Sequence, residues 1–410
     1  MCAKARTAPP ACKEVAVAAT RERLIADDRL AALPRQLRVV PWRWLRRTAA
    51  LLGSLLGGVF GGLLASSSAR AVELPADAAE TLYHSYNGGG VNASGPAFLV
   101  RKQLGSDVSL SASYYVDAVS NASIDVVTTA SPYREERKEL GLGADYVYRD
   151  SKISWSALSS HEPDYVANSM GLDIAQETFG GMTTVSLGFG RGADQIGKTN
   201  APEFAETATH WQYRAGISQV LSPRWIASAN AEVLADEGFL GSPYRVARVF
   251  GAIVPERTPR TRSARALKFR VLGDLGNRDA VHADYRYFSD TWDIKAQTVE
   301  LGYSRYFGEQ WLLDTSLRFY KQDHALFYSD NAMADSTYIS RNRQLSSFSS
   351  TGLGAKLSYA LGDVVPRVPL KLHLAYEYTS FTFSDFTDIR SGALYAYNAN
   401  VLQLFLSANF

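Results

Sequence analysis

The sequence predicts an all-β protein: a single transmembrane antiparallel up-and-down β-barrel of about 16 strands, roughly 14–18, preceded by an N-terminal signal peptide. Three observations support this prediction. Apolar and polar residues alternate with a period of two along most of the chain. An apolar segment near the N-terminus ends in a small-x-small motif. The last strand alternates and ends in an aromatic residue, Phe410.

The N-terminal part of the chain divides into two segments. Residues 1–40 form a leader that precedes the signal peptide and contains both cysteines, so we expect a start codon near Val39 or Val40. Residues 41–71 are the predicted signal peptide: arginines come first, an apolar run follows, and cleavage is expected after Ala71. A membrane anchor, the alternative, would need a longer apolar span without the cleavage motif.

Residues 72–410 form the predicted outer-membrane β-barrel. The first 71 residues hold 12 of the 43 Lys and Arg residues and 4 of the 41 Asp and Glu residues, so the remainder carries a net charge of −6. This acidic balance argues against a nucleic-acid partner. The segment has no cysteine, which excludes disulfides, thiolate metal sites and cysteine nucleophiles there.

The alternation within the strands is compatible with two architectures. In residues 368–380, leucines and tyrosines occupy one face, whereas Lys371, His373 and Glu377 occupy the other. A soluble sandwich would turn the apolar face inward, and an outer-membrane barrel would turn it toward lipid. Strands of about 9–12 residues suit a tilted membrane crossing, and aromatic residues collect near strand ends as in interfacial girdles. We therefore expect outer-membrane lipid and lipopolysaccharide around the barrel.

The C-terminal strand supports the membrane alternative. Residues 401–410 read VLQLFLSANF, with alternate apolar residues and a terminal Phe410. This strand resembles the assembly signal that bacterial outer-membrane barrels present to the barrel-insertion machinery, which is therefore an expected partner. The alternative is an ordinary terminal strand that ends in phenylalanine by chance. We expect the protein in the outer membrane of a Gram-negative bacterium, exported through a cleaved signal peptide.

The connections between predicted strands fall into two length classes. Connections from even-numbered to odd-numbered strands are short, as in GSD, RDS and GEQ. Several connections from odd-numbered to even-numbered strands are long, including residues 241–262 and 323–344. Outer-membrane barrels have short periplasmic turns and longer extracellular loops. This pattern predicts that both termini lie on the periplasmic side.

One motif suggests nucleotide binding. GADQIGKT, from Gly192 to Thr199, matches the phosphate-loop spacing, in which lysine contacts phosphates and threonine holds magnesium. A genuine phosphate loop follows a buried parallel strand and opens a helix. Here the preceding residues alternate as a half-buried strand, and the following segment lacks a helical period. We therefore predict an extracellular loop and no nucleotide partner.

Several stretches resemble a bacterial family of outer-membrane-type proteins catalogued as a domain of unknown function, family 3570. They are SYYVDAVSNAS, REERKELGLGADY, SSHEPDY, GMTTVSLGFGRGAD, GFLGSPYRVARV, PERTPRTR and HADYRYFSDTW. The resemblance implies an exported barrel precursor of this size and brings no established activity, cofactor or catalytic residue. It also implies periplasmic redox proteins as partners, because members are encoded near flavin-attachment and thioredoxin-like proteins.

Strand alternation predicts which charged side chains line the lumen. Both signs occur, which allows either a weakly selective wet channel or a lumen partly filled by salt bridges. The predicted lining consists of Asp117, Glu139, Asp145, Arg214, Glu232, Lys268, Arg270, Asp284, Arg286, Glu300, Asp314, Arg318, Lys356, Lys371 and Glu377.

An arginine-rich loop is a candidate constriction or ligand-binding segment, stiffened by two prolines. Arginines recognise phosphate and carboxylate groups. The alternatives are pairing with lipopolysaccharide phosphates or with loop carboxylates. The candidate residues are Arg245, Arg248, Arg257, Arg260 and Arg262.

Catalytic, cofactor and metal sites are not expected. His282 and Asp284 share a strand face, where a hydrogen-bond network is favoured over a proton or metal site. His161, Glu162 and Asp164 share one outer loop, where the alternatives are calcium and no ion. The histidines lack zinc-ligand spacing, and the sequence contains no GxSxG motif. A porin-like channel or transporter for small solutes is therefore expected. The alternative is a structural or assembly partner of a periplasmic redox system.

Overall fold

The computed structural model describes four stretches of the chain: residues 72–121, 133–199, 201–365 and 368–410. The leader (1–40), the signal peptide (41–71) and the cleavage site after Ala71 lie outside these stretches. The predicted domain boundaries at the N-terminus therefore stay predictions.

Sixteen antiparallel strands form one closed barrel, as the sequence predicts. Each strand pairs with its neighbours in the chain, and β1 pairs with β18 to close the ring. The barrel strands are β1 (Ala78–Gly88), β2 (Val91–Leu104), β3 (Val108–Asn121), β4 (Tyr133–Tyr148), β5 (Ser151–Glu162), β6 (Tyr165–Thr178), β7 (Thr183–Ile196), β8 (Glu206–Ser222), β9 (Trp225–Gly238), β12 (Thr261–Gly276), β13 (Asp279–Asp290), β14 (Lys295–Phe307), β15 (Trp311–Gln322), β16 (Phe348–Val365), β17 (Val368–Thr387) and β18 (Leu394–Asn409).

Two small elements lie outside the barrel wall. Strands β10 (Val246–Val249) and β11 (Ala252–Pro255) form a separate hairpin, so β9 pairs directly with β12. A short 3-10 turn covers Arg343–Leu345 in the loop between β15 and β16. Among the described residues, no helix has both the length and the apolar character needed to span a bilayer.

The apolar strand face points outward. In β4, Leu140 and Leu142 are about half exposed, whereas Val147, at an alternate position, is 3% exposed. The same alternation leaves Leu353 of β16 and Leu402 of β18 exposed. An apolar band around the outside of a closed barrel is the arrangement that a lipid environment stabilises. This arrangement excludes the soluble alternative, in which these rows would pack against each other inside.

Aromatic side chains gather at one end of the barrel. Phe410 is half exposed, and its backbone N–H donates a 3.1 Å hydrogen bond to the carbonyl oxygen of Asp77. Other exposed aromatic residues at this end are Tyr148, Phe179, Trp225, Phe307 and Trp311. They form a belt of the kind found at membrane–water interfaces.

The connections define the two ends of the barrel. At the aromatic end the described turns are short, such as residues 149–150 and 223–224. The opposite end carries the connections 239–260 and 323–347. By the rule for outer-membrane barrels, the short-turn end faces the periplasm. One outer connection is tighter than expected: β2 starts at Val91, so only residues 89–90 link it to β1.

Candidate functional site

The charged residues predicted to line the lumen all belong to barrel strands. Each of the fifteen lies on the strand face opposite the outward apolar row, and Asp117, Asp284 and Glu377 are among the most buried. Lys371 is exposed near the periplasmic end of β17. Their part in solute passage stays a prediction.

The outer half of the lumen is filled by a buried polar network around Asp117. His84 is fully buried, and its Nε2 lies 2.6 Å from Asp117 Oδ1. Arg137 Nη2 donates a 2.9 Å hydrogen bond to the other carboxylate oxygen. Tyr115 stacks on the His84 ring with centroids 4.6 Å apart. The sequence analysis identified only Asp117, although Tyr115 and Arg137 have the same inward parity.

A second buried network lies further round the outer half. His210 places Nε2 at 2.8 Å from Asp194 Oδ2 and Nδ1 at 2.9 Å from Asp236 Oδ1. Tyr165 donates its hydroxyl hydrogen to Asp194. With a carboxylate at each ring nitrogen, both N–H groups can donate only when the imidazole is protonated. No local pattern in the sequence predicts this network, because its members come from four different strands.

The loop between β15 and β16, residues 323–347, spans the outer mouth. Arg343 is 3% exposed, and its Nη1 lies 3.5 Å from the carbonyl oxygen of Gly89, in the turn between β1 and β2. The next residue, Gln344, accepts a 3.0 Å hydrogen bond from Arg245, in the loop that follows β9. In the barrel order β1 and β9 are eight strands apart, so they lie on opposite walls. Two consecutive residues therefore connect the β1–β2 turn with the loop that leaves the opposite wall after β9.

Aromatic side chains anchor this loop to the wall. Arg343 lies against the rings of Tyr395 and Tyr397 of β18, 5.9 and 5.4 Å from their centroids. Leu345 is buried in a cluster with Phe383 and Phe386 of β17. Burying the Leu345 side chain stabilises this position of the loop by about 1.5–3 kcal/mol.

The arginine-rich segment packs mainly against loop carboxylates. Arg257 pairs with Asp335, Arg260 with Glu206 at 2.7 Å, and Arg262 with Asp290 at 2.6 Å. The backbone carbonyl of Arg248 accepts a 2.8 Å hydrogen bond from Ala332. This segment supports the spanning loop 323–347, which the sequence analysis did not select. Its predicted role as a constriction or ligand loop stays a prediction.

Electrostatics tie the outer loops together. The guanidinium of Arg257 lowers the pKa of the Asp335 carboxyl. Burial and a hydrogen bond to Asp164 raise the pKa of Tyr244 to about 12. Tyr244 also accepts a hydrogen bond from the backbone N–H of Thr199 at 2.6 Å. The loop after β9 therefore contacts the turns after β5 and β7.

Below these networks the lumen contains a cavity of about 370 Å³, which extends along the wall from β5 to β13. Its charged lining residues are Lys152, Asp173, Arg214, Glu232, Lys268 and Arg286. Four of these six residues were predicted from the alternation. Lys152 of β5 and Asp173 of β6 were not predicted, because the alternation was not used to assign inward-facing charges on these two strands.

One ion pair in this cavity is tightly built. Arg214 Nη2 lies 2.6 and 2.7 Å from the two carboxylate oxygens of Asp173. A Cβ at Gly188 would lie 2.2 Å from Asp173 Oδ1 and 2.7 Å from Arg214 Nε. Because glycine has no Cβ, position 188 leaves enough space for the Asp173–Arg214 ion pair to lie against the barrel wall.

The opposite wall carries a longer ion pair of similar exposure. Asp314 lies 3.6 Å from Lys356 and accepts a 2.5 Å hydrogen bond from Ser304. Both charged side chains are 20–30% exposed to the lumen. Such pairs contribute little to stability, because water screens them.

Two groups of side chains have the spacing of metal ligands. His282 Nε2 lies 3.6 Å from Glu300 Oε1 and 3.9 Å from Asp284 Oδ2. Arg270 Nε, 2.9 Å from Asp284, and Lys268 already supply positive charge there, so the arrangement fits a charge network. The second group, at the outer rim, is Glu135, Glu162 and Asp164. It includes two residues of the outer turn that the sequence suggested for calcium.

A Ser–His contact appears near the periplasmic end. His373 Nδ1 lies 2.7 Å from Ser358 Oγ, and its Nε2 lies 3.0 Å from Ser407 Oγ. The two serines are 6% and 9% exposed. A nucleophile must be accessible to its substrate, so this contact fits a structural role.

The residues of the GADQIGKT motif do not form a phosphate loop. Gly192 to Ile196 belongs to β7, which pairs antiparallel with β6 and β8. Lys198 lies over the ring of Tyr244, 5.8 Å from its centroid. A phosphate loop needs a turn that opens a helix, and these residues form a strand end and an outer turn.

The closed antiparallel barrel, its outward apolar band and its polar lumen define the class: this is an outer-membrane-type β-barrel protein. Residues 198–379 match the model of a family described as "Protein of unknown function (DUF3570)". The match confirms the expected family resemblance over these residues. The quoted segments before residue 198 lie outside it.

Solved structures with a similar fold are barrels. The siderophore receptor PirA from Pseudomonas aeruginosa is 10% identical, with 77% of this chain and 60% of that chain covered and a TM-score of 0.43. A bacterial polysaccharide outer membrane secretin is 9% identical, with 82% and 100% covered and a TM-score of 0.47. The CymD monoaromatic hydrocarbon channel is 10% identical, with 82% and 89% covered and a TM-score of 0.41. This chain thus spans about 60% of the length of PirA. No curated protein matches the sequence.

Proposed function

We propose that the protein is a porin-like channel or transporter for small polar solutes in the outer membrane of a Gram-negative bacterium, closed at its outer mouth by the loop 323–347. The observation that carries this proposal is that one lumen combines an inner cavity lined with charge and an outer mouth covered by a loop. A charged cavity of about 370 Å³ lies below a mouth that Arg343 and Gln344 span. A barrel that served only as a scaffold would have no need for a cavity lined with charge.

The closing loop is held by fewer contacts than the barrel wall. Its contacts combine side-chain packing, such as that of Arg343 on Tyr395, with isolated backbone hydrogen bonds, such as that from Leu326 N–H to the carbonyl oxygen of Trp292, whereas the barrel strands are joined by continuous backbone ladders. Side-chain contacts are individually weak beside a closed barrel sheet. Opening the mouth therefore requires breaking a few contacts and leaves the barrel intact.

Enzyme activity is not part of the proposal. The described Ser–His contact at His373 is buried, and the charged groups of the cavity are arranged as ion pairs. A binding and passage function uses such a lining directly, because paired charges in a wet lumen interact with polar solutes.

Conductance across planar lipid bilayers tests this function. We expect purified wild-type protein to give rare, brief openings and the Arg343→Ala variant to give frequent openings of the same unit conductance. If neither protein conducts while both migrate as folded, heat-modifiable barrels, the channel proposal is wrong, and the role of a structural or assembly partner for a periplasmic redox system becomes the better account.

A further inference from the structure

Three cationic side chains in the lumenal cavity are only loosely paired. Lys152 Nζ lies 3.5 Å from Asp145, Lys268 Nζ lies 3.7 Å from Asp284, and the nearest ion pair of Arg286 is with Glu232 at 3.6 Å. By contrast, Arg214 in the same cavity holds Asp173 at 2.6 and 2.7 Å. The cavity therefore contains one tight pair and three cations at long range from their carboxylates.

The carboxylates near these cations have closer partners. Asp145 accepts a 2.5 Å hydrogen bond from Ser154, and Asp284 lies 2.9 Å from Arg270 Nε. Glu232 accepts a hydrogen bond from Gln212. Each carboxylate is thus stabilised without the loosely paired cation, so a competing anion could take that cation at little cost to the wall.

The side-chain N–H groups of these three cations could donate hydrogen bonds to a ligand. Within the described part of the chain, none of their side-chain nitrogens donates a hydrogen bond to the protein. The lining of the cavity holds four cations, Lys152, Arg214, Lys268 and Arg286, and two carboxylates, Asp173 and Glu232, while Asp145 and Asp284 lie just outside the lining. Lys152 is only 13% exposed, where charge–charge interactions are stronger than in water.

The positions of the cations along the wall suggest the shape of the ligand. Lys152 belongs to β5 at one end of the cavity, whereas Lys268 and Arg286 belong to β12 and β13 at the other. The cavity, at about 370 Å³, falls in the range of small-molecule sites. A ligand with two separated acidic groups could contact both ends at once.

We propose that this cavity binds a small organic anion with two or more acidic groups, held by Lys152 at one end and by Lys268 and Arg286 at the other. This inference deepens the proposed function, on which it rests, by assigning the class of solute that the channel accepts. Arg214 and Asp173, paired tightly with each other on β8 and β6, line the cavity between its two ends. The amide of Asn230, which also lines the cavity, supplies a neutral donor between the two ends.

Isothermal titration calorimetry on the purified barrel in a zwitterionic detergent tests the site. The probes are succinate, with two carboxylates, butyrate, with one, and succinamide, with none. We expect succinate to bind at least tenfold more tightly than butyrate, and succinamide to give no binding. Equal affinity for all three probes, or no succinate binding, would overturn the inference.

Variants identify the residues. The double variant Lys268→Gln and Arg286→Gln should weaken succinate binding at least tenfold, and Lys152→Gln alone should weaken it severalfold. Lys321→Gln removes an equal single charge from the outward face of β15 and should leave binding unchanged. If the double variant loses its heat-modifiable migration, Lys152→Gln serves as the deciding variant. Unchanged succinate affinity in folded Lys152→Gln would contradict the site.

Conductance separates this inference from the proposed function. Succinate binding without any conductance would leave the anion site standing and reject the channel. Conductance of Arg343→Ala that succinate neither blocks nor modulates, together with a reversal potential that shows no anion preference, would keep the channel and reject the anion site.

Discussion

The two halves of the lumen use similar side chains in opposite ways. In the outer half, Asp117 and His210 belong to buried networks with contacts of 2.6–2.9 Å. In the inner half, Arg214 holds Asp173 at 2.6 and 2.7 Å, whereas the other three cations that line the cavity, Lys152, Lys268 and Arg286, lie 3.5–3.7 Å from carboxylates. The difference shows that similar charged side chains on one wall can form either a buried network or the lining of a cavity. In our proposal, the outer half is the closed end and the inner half is the binding chamber.

The largest expected effect is a loss in the free energy of unfolding when the buried network around Asp117 is broken. Asp117→Ala leaves Arg137 and His84 buried without their carboxylate, which costs about 3–5 kcal/mol. Asp314→Ala, in the more exposed pair with Lys356, should cost about 0–1 kcal/mol. Urea unfolding in lipid vesicles, followed by tryptophan fluorescence, measures both. Similar losses for the two variants would contradict the division of the lumen into sealed and open halves.

The next largest expected effect is on the fraction of time for which the outer mouth is open. Arg343→Ala removes a buried cation with hydrogen bonds and ring contacts, worth about 1.5–3 kcal/mol, so the open fraction should rise about ten- to hundredfold. Arg390→Ala, on an exposed outer loop where Arg390 pairs with Asp388, is the matched control. Single-channel recordings give the open fraction. An equal rise in the control would show that the loop contacts of Arg343 do not hold the mouth closed.

A smaller effect is expected from Gly188→Ala. The added Cβ would meet Asp173 and Arg214, so their ion pair must shift while the barrel stays folded. We expect a change in unit conductance of about twofold or less, since conduction through a charged lumen depends on where the lining charges lie. Gly197→Ala, in the outer turn after β7, is the control, because its backbone has no positive φ and the added carbon would lie 3.4 Å or more from its neighbours, away from the Asp173–Arg214 pair. Identical conductance in wild type and Gly188→Ala would remove this pair from the passage route.

The smallest effect concerns pH. The pKa of Asp335 is lowered by Arg257, so their contact stabilises the folded loops above the ordinary value of 3.8 and is lost as the pH falls through the lowered pKa. Both side chains are exposed, so the gain in open fraction at acid pH should be modest. Asp335→Asn should abolish that contribution. A variant with the full pH response of wild type would show that other groups control it.

Alternation and connection lengths predicted most of the fold, because both are local in sequence. All sixteen barrel strands and the inward face of Asp117 and Glu377 follow from a period of two. The partners of these residues did not follow. His84 meets Asp117 across strands 33 residues apart in sequence, and Arg343 meets Gly89 across 254 residues. Such contacts depend on barrel closure and loop path, which no local pattern encodes.

Thiol accessibility tests the central claim most directly. Residues 72–410 contain no cysteine, so Ser154→Cys places a single thiol in the inner cavity. A membrane-impermeant maleimide, applied to the outer face of intact cells, should label this thiol slowly in the otherwise wild-type barrel and at least tenfold faster when Arg343→Ala is added. Equally fast labelling in both proteins would show that the outer mouth is open and would contradict a lumen sealed by the loop 323–347.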